Sequence, residues 1–161
     1  MIQTHNHTGV IVMTFLAAMG LTIIPLPEWA GPFRPAFVLL TLIYWCLALP
    51  KLINIGAAWI LGLMMDVLVG TLLGQYALAY AVVAFISVKL HQQIRVYPLW
   101  QQALSIFTLI ALAQLLNLWV LGIIGQSPNS WLYWMQSFTS ALLWPWVYLT
   151  LRDIRRKFGV T

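Results

Sequence analysis

The feature that most constrains the fold of this sequence is the position of its charges, which stand almost entirely between long apolar segments. Six such segments can be separated, at approximately residues 9–24, 35–49, 53–69, 76–88, 99–124 and 131–151. A bilayer core of roughly 30 Å takes about 20 apolar helical residues per crossing. With 62% hydrophobic and only 7% charged residues, the chain suits lipid as its solvent. We therefore predict a single all-α transmembrane domain over residues 1–161, a polytopic bundle of six helices.

The distribution of cations predicts the orientation of these spans. If both termini are cytoplasmic, only Arg34 lies outside, in the same loop as Glu28. All the other cations then lie inside, namely Lys51, Lys89, Arg95, Arg152, Arg155, Arg156 and Lys157. This arrangement obeys the positive-inside rule, whereas an odd number of spans would place some of these cations outside. No Lys or Arg precedes the first span and no small-residue cleavage pattern follows it, so we interpret it as a retained span.

Several classes of function have little support in the residues. Most of the eight Lys and Arg residues flank apolar spans, as topology signals do, and nucleic-acid binding is therefore not expected. The single cysteine, Cys46, lies in an apolar run and is expected to be a small filler. His5 and His7 have no third ligand near them for a metal ion. Because no nucleophile–base pair and no phosphate-binding loop is visible either, we predict no catalytic site, no cofactor and no metal.

Asp66 is the one acidic residue inside a predicted span. An ionisable group there costs about 2.5–3.5 kcal/mol on insertion scales, so it normally faces protein or water. Gly62, Asp66, Gly70 and Gly74 follow one another at a four-residue spacing, which places helical residues on one face. Gly62 would leave a notch where another helix can approach closely, while Gly70 and Gly74 also fit a turn that requires positive φ. We predict a helix-packing, partner or pocket face here.

Two amides of the fifth span are the predicted partners of this acid. Gln114 and Asn117 are three residues apart, at about 22–27 Å from the start of their span, against about 20 Å for Asp66 in its own. Since buried amides need partners, we predict that the three side chains line one polar spot inside the bundle. Two interpretations stay open, a hydrogen-bond clamp between helices, which we favour, and a pocket for a subunit or small ligand. Trp59 and Trp119 are expected to be packing residues.

The cations near the ends of the later spans form two groups, for which we make separate predictions. Lys89, His91 and Arg95 are predicted to lie in a cytoplasmic loop at the lipid headgroups. The C-terminal group could dock on anionic lipid at about 1 kcal/mol per cation, or on a cytoplasmic partner. That group consists of Arg152, Arg155, Arg156 and Lys157.

Five stretches, spread over almost the whole chain, carry a resemblance to a known family. They are Phe33-Arg34-Pro35, Ile43-Tyr44-Trp45-Cys46-Leu47-Ala48-Leu49-Pro50, Gly62 through Asp66 and Gly70 to Gly74, Leu99-Trp100-Gln101-Gln102-Ala103-Leu104, and Leu143-Trp144-Pro145-Trp146. In these stretches, in length and in span number the sequence resembles the rod shape-determining protein MreD, most of all the enterobacterial type.

The resemblance implies a non-enzymatic subunit of the elongation complex in the bacterial inner membrane. Such a subunit maintains cell shape by coupling the actin-like filament MreB to lateral-wall peptidoglycan synthesis. The implied partners are the single-span protein MreC as the direct one, then MreB, the glycosyltransferase RodA and its penicillin-binding transpeptidase. Whether the chain also forms a homo-oligomer stays open. The implied fold is similar to the substrate-binding subunit of energy-coupling-factor transporters, with a central cavity that Asp66 could face.

Two other classes of function are alternatives to this scaffold role. The first is a small-molecule carrier, such as the binding subunit of a vitamin transporter, and the predicted polar spot supports it. A single intramembrane charge, however, leaves little to recognise or couple a solute. The second is a membrane enzyme, which would need a second catalytic group in the spans, and none is apparent in the sequence.

Overall fold

The computed structural model describes residues 2–25, 27, 36–49, 53, 55–70, 74–125 and 134–157. Within these ranges the regular structure consists of seven helices, without a strand. In chain order they are α1 (Ile2–Ile23), α2 (Phe37–Ala48), α3 (Ile55–Val69), α4 (Gln75–Lys89), α5 (His91–Arg95), α6 (Leu99–Ile123) and α7 (Met135–Lys157).

Each apolar segment predicted from the sequence lies on one of the six longer helices, with shifted ends. The largest differences are at the termini, because α1 already begins at Ile2 and α7 continues to Lys157. The segment around Arg95 was predicted to be a loop, and this is wrong, since His91–Arg95 forms the short helix α5. A buried amide stabilises it, because Gln102 Nε2 donates to the Ile94 carbonyl at 3.1 Å.

Some residues used in the sequence argument lie outside the described ranges. They are Glu28, Arg34, Lys51 and the stretch Phe33-Arg34-Pro35; the side chains of His5 and His7 are likewise outside the description. The predicted loop between the first two spans therefore stays a prediction.

Helix α2 is the centre of the bundle. It is apolar on all sides, as suits a helix enclosed by others, and ten of its 12 residues are buried. It packs against α1, α4, α5, α6 and α7. The indole of Trp45 is fully buried and donates to the Thr14 hydroxyl of α1 at 3.0 Å. Cys46 is buried beside it, in the apolar surroundings expected for a small filler.

The helices differ in how well they match the thickness of a bilayer. Leu99–Ile123, with 25 residues, is long and apolar enough to cross a membrane by itself. Four other stretches are apolar but shorter, namely Gly9–Ile23, Phe37–Ala48, Ile55–Leu68 and Gln75–Lys89. Six complete crossings therefore remain a prediction.

The outside of the bundle is rich in large apolar side chains. Val67, Leu142 and Ile123 are all more exposed than buried, and so are many others on α1, α3 and α6. Trp59 and Trp119 were expected to be packing residues, and this is wrong, because they are 50% and 69% exposed. An aromatic ring that faces lipid loses no apolar contact, so depth in a span does not predict burial. The fully buried tryptophans are instead Trp45 and Trp144.

Candidate functional site: the Asp66 hairpin and its neighbouring cavity

Helices α3 and α4 form a tight hairpin around Gly62. A Cβ atom built on Gly62 would lie 2.4 Å from Ala77 Cα and 2.7 Å from the Tyr76 carbonyl oxygen. Only a residue without a side chain permits the backbones to approach so closely. The close helix approach predicted at Gly62 is therefore present, and α4 of the same chain fills the notch.

The carboxylate of Asp66 lies within this hairpin, beside the N-terminus of α4. Its Oδ2 accepts a hydrogen bond from the Gly74 N–H and its Oδ1 accepts one from the Tyr76 N–H, both at 2.8 Å. The first N–H groups of a helix have no partner within that helix, and they favour a negative charge. Asp66 thus caps the N-terminus of α4 from α3, and the carboxylate is 1% exposed.

The glycines at 70 and 74 belong to the turn that makes this cap geometrically feasible. Gly70 has φ +82° and Gly74 has φ +101°, a region that suits glycine. The Gly70 N–H donates to the Asp66 carbonyl at 3.0 Å and closes α3. Gly74 occupies the N-cap position of α4, where it has no side chain to cap with. Asp66 supplies the missing acceptor.

Gln114 forms hydrogen bonds with two side chains of α7. Its Nε2 donates to Gln136 Oε1 at 3.2 Å, and its Oε1 accepts a hydrogen bond from the Ser137 hydroxyl. Asn117, predicted as a donor to Asp66, makes no hydrogen bond with the described residues, and its buried Oδ1 has no partner there. The predicted assignment of Asn117 as a donor to Asp66 is wrong, because Asn117 makes no hydrogen bond with the carboxylate, whose described donors are backbone N–H groups at the start of α4.

A cavity of about 370 Å³ lies beside the hairpin and is lined by the side-chain amides of Gln114 and Asn117. Gln114, Gln136 and Asn117 line its polar side, and Asn117 is 9% exposed. Tyr76, Tyr80 and apolar residues from α1, α2, α3 and α6 complete the wall. Asp66 does not line this cavity, and a central cavity of the transporter type that the acid faces stays a prediction. The predicted polar spot is divided into a capped carboxylate and an amide-lined cavity.

Other buried polar contacts were not predicted from the sequence. Gln102 is 3% exposed and accepts a hydrogen bond from Trp144 Nε1 at 3.2 Å. The Ser140 hydroxyl accepts a hydrogen bond from the Ala36 N–H at 2.9 Å, at the start of α2. The signal was available, since Gln136, Ser137 and Ser140 follow a helical spacing in an apolar segment.

All cations except Arg34 were predicted to lie on one side of the membrane. Among those that the structure describes, the four arginines line one cavity and the two lysines do not. Arg95 of α5 and the three arginines of α7 line one cavity at the end of α2. Lys89 lies apart from it, with its Nζ 5.7 Å from the centre of the Phe85 ring. This grouping of the arginines agrees with the prediction that α5 and the C-terminal end of α7 lie on the same side of the membrane.

Comparison with known proteins identifies the family. A family model described as rod shape-determining protein MreD matches residues 3–154. The chain belongs to the MreD family. A relative named rod shape-determining protein MreD, from Haemophilus influenzae, is 35% identical to this MreD-family chain over 147 residues, which are 91% of each chain. No solved structure gives a significant match.

Membership of the MreD family confirms the resemblance seen in the sequence. It makes the chain a membrane-associated protein of a family that determines rod shape. The similarity to the substrate-binding subunit of energy-coupling-factor transporters stays a prediction.

Proposed function

We propose that this chain is a non-enzymatic inner-membrane subunit of the complex that builds the lateral peptidoglycan wall of rod-shaped cells. The observation that carries the proposal is the match to the MreD family over residues 3–154. The many exposed apolar side chains support a function within the bilayer.

The proposed direct partner is MreC, and through it the chain is linked to MreB, RodA and the penicillin-binding transpeptidase. We further propose six crossings with both termini in the cytoplasm. The meeting of Arg95 with three arginines of α7 supports a common side for these two regions. The positive-inside rule then makes that side the cytoplasmic one.

In this function the Asp66 hairpin is proposed to be a structural part of the subunit. Ala77 and Tyr76 of α4 fill the space beside Gly62, and Asp66 is buried. A partner helix therefore does not reach this face, and the hairpin would support complex formation by fixing α3 against α4.

Depletion in a rod-shaped host tests the cellular role. We expect the cells to become round or to die, and the wild-type chain to restore rods and to co-purify MreC. The variant Asp66→Leu should restore fewer rods, with less protein in the membrane. Retained rod shape together with a new requirement for a vitamin or ion would contradict the scaffold role.

Reporter fusions test the topology separately. Fusions after Leu26, Leu73 and Ser127 should report a periplasmic location, and fusions after Arg95 and Arg156 a cytoplasmic one. A periplasmic reporter at Arg156 would exclude the six-span arrangement.

One observation favours a second candidate function, a carrier or binding subunit for a small molecule. The cavity of about 370 Å³ is lined by Asn117, whose amide oxygen has no partner among the described residues and could be satisfied by a ligand donor. Mass spectrometry of the purified protein should then detect a retained small molecule, and Asn117→Leu should lose it. A wild-type protein without any retained molecule, in cells that also need no nutrient after depletion, would exclude this candidate.

A further inference from the structure

A second polar cavity lies at the other end of α2 from the amide cavity. The amide cavity begins at the N-terminal residues of α2, whereas this one is bounded by its last turn, Leu47 and Ala48. Its volume is about 260 Å³. Four helices converge on it, and its polar lining consists of Tyr44, Arg95, Gln102, Tyr148, Arg152, Arg155 and Arg156.

The four arginines of this cavity lack a counter-charge among the described residues. No described carboxylate forms an ion pair with them, and none of the four guanidinium groups makes a hydrogen bond there. Asp66 caps α4, and Asp153 is exposed on α7. The Nε of Arg152 is buried and finds no partner in the part of the chain that the structure describes. Four like charges around one space repel each other, so the site favours an anion.

Buried contacts hold together the helices that carry these arginines, and an aromatic ring lies beside Arg152. Gln102 bonds the Ile94 carbonyl of α5 and the Trp144 indole of α7, so it joins both arginine-bearing helices to α6. The Arg152 guanidinium lies 6.0 Å from the centre of the Tyr148 ring, which itself packs edge-on against Tyr44 at 5.7 Å. The buried amide and the aromatic rings thus fix the helices that line the cavity, and Arg152 lies against its aromatic wall.

The chemistry of the lining selects a phosphate group. Guanidinium groups bind phosphate through pairs of parallel hydrogen bonds, and arginine is preferred where this planar recognition is needed. The cavity is slightly smaller than the roughly 300–1,000 Å³ of sites for drug-sized ligands, so it suits one headgroup phosphate better than a nucleotide. Basic pockets between transmembrane helices bind the headgroups of anionic phospholipids.

We propose that Arg95, Arg152, Arg155 and Arg156 form a binding site for the phosphate group of an anionic phospholipid. The phosphate accepts hydrogen bonds from α5 and α7 at once, and it supplies the acceptor that Arg152 Nε lacks. This differs from attraction of a basic tail to a charged surface, because the contribution of each cation depends on its position in the cavity.

Lipid binding to the purified full-length chain tests this site. The protein, in a neutral detergent, is mixed with phosphatidylglycerol, with phosphatidylcholine or with inorganic phosphate, and the apparent melting temperature and the bound lipid are measured, the latter by native mass spectrometry. We expect phosphatidylglycerol to remain bound and to raise the melting temperature, and phosphatidylcholine to do neither. The variant Arg152→Gln should bind phosphatidylglycerol about tenfold more weakly or worse, as expected for loss of hydrogen bonds to a charged group.

The matched control is Lys157→Gln, which removes the same charge from α7 at a position that does not line the cavity. It should bind phosphatidylglycerol like the wild type. Arg95→Gln, on a different helix, provides a second variant if Arg152→Gln does not fold, and it should also bind more weakly. Equal losses for Lys157→Gln and the cavity variants would overturn the site.

Two further outcomes would also overturn the lipid as ligand. Equal protection by inorganic phosphate at the same concentration would assign the site to a free anion. Absence of protection by either compound, with crosslinking of Arg155→Cys to an acidic segment of a protein partner, would assign it to that partner.

Discussion

Two charged regions of this bundle, one buried and one partly exposed, differ in what satisfies their charges. In the hairpin, one carboxylate receives two hydrogen bonds of 2.8 Å from the backbone of its own chain. In the arginine cavity, four cations converge without a described acceptor, and Arg152 Nε is buried and unpaired. The carboxylate is satisfied within the chain, whereas the proposed phosphate would complete the arginine cavity.

This difference separates a structural charge from a binding charge. Removal of the Asp66 carboxylate leaves backbone donors buried, so it should damage the chain under all conditions. Removal of an arginine leaves no donor or acceptor of the chain unpaired, so it should matter only when an anion is present. The following predictions test that distinction, from the largest expected effect to the smallest.

The largest effect is expected for Asp66→Leu. The change leaves the N–H groups of Gly74 and Tyr76 without their acceptors, at about 1–3 kcal/mol for each buried group. Asp66→Asn should be intermediate, because its amide has one oxygen and places an NH₂ group against the other N–H donor. Thermal unfolding of the purified variants measures both. If Asp66→Asn matched the wild type, the two-acceptor cap would be incorrect.

A comparable but smaller effect is expected for Gly62→Ala. Its new Cβ would meet the backbone of Ala77 at 2.4 Å, and backbone atoms cannot move as a flexible side chain would. Overpacking of this kind costs about 1–3 kcal/mol. The matched control is Gly122→Ala on α6, where a Cβ has open space; it should be as stable as the wild type or slightly more so. Equal melting temperatures for the two variants would contradict the close contact.

The sequence predicted the hairpin better than it predicted the partners of its acid. An acid in an apolar segment has to be satisfied, and a glycine four residues before it permits close packing; both inferences need only local spacing. The donors are the backbone groups of residues 74 and 76, and a backbone group has no signature in a list of side chains. Gln114 and Asn117 were chosen because the depth of a residue along its helix can be calculated from the sequence. The rotation of α6 about its axis, which decides what these side chains contact, is set by tertiary packing.

The same limit explains which other features could be predicted. The positions of the six longer helices could be predicted from the apolar segments, although four of the apolar stretches are shorter than one bilayer crossing needs. The short helix α5 depends on the contact between Gln102 and Ile94, a tertiary interaction. The cations could be interpreted as topology signals, but the convergence of four of them on one cavity requires the packing of α5 and α7 against α2. The exposure of Trp119 could not be predicted from its residue type, because a tryptophan ring is as compatible with lipid as with a protein interior.

A third pair of variants compares a satisfied amide with an unsatisfied one. Gln114→Leu removes the hydrogen bonds to Gln136 and Ser137, which at about 0.6 kcal/mol each in a membrane lowers stability by about 1 kcal/mol. Asn117→Leu removes no described hydrogen bond and should be neutral or slightly stabilising. Thermal unfolding in the same detergent separates the two. A larger loss for Asn117→Leu than for Gln114→Leu would show that the Asn117 oxygen has a partner in the protein as purified.

The smallest effect is expected for Arg155→Gln in detergent without anionic lipid. Arg155 lines the arginine cavity and makes no hydrogen bond or ion pair with the described residues, so its removal breaks no described contact of that kind. The change also removes the repulsion between Arg155 and the other three arginines, and the change in stability should stay within about 0.5 kcal/mol of the wild type, with a slight gain. Differential scanning fluorimetry at low and high salt measures it. The gain should disappear at high salt, because salt screens repulsion between partly exposed charges. A loss of stability as large as that of Asp66→Leu, in the absence of any anion, would show that the arginine cavity is completed within the chain, as the hairpin is, and would remove the distinction between the two regions.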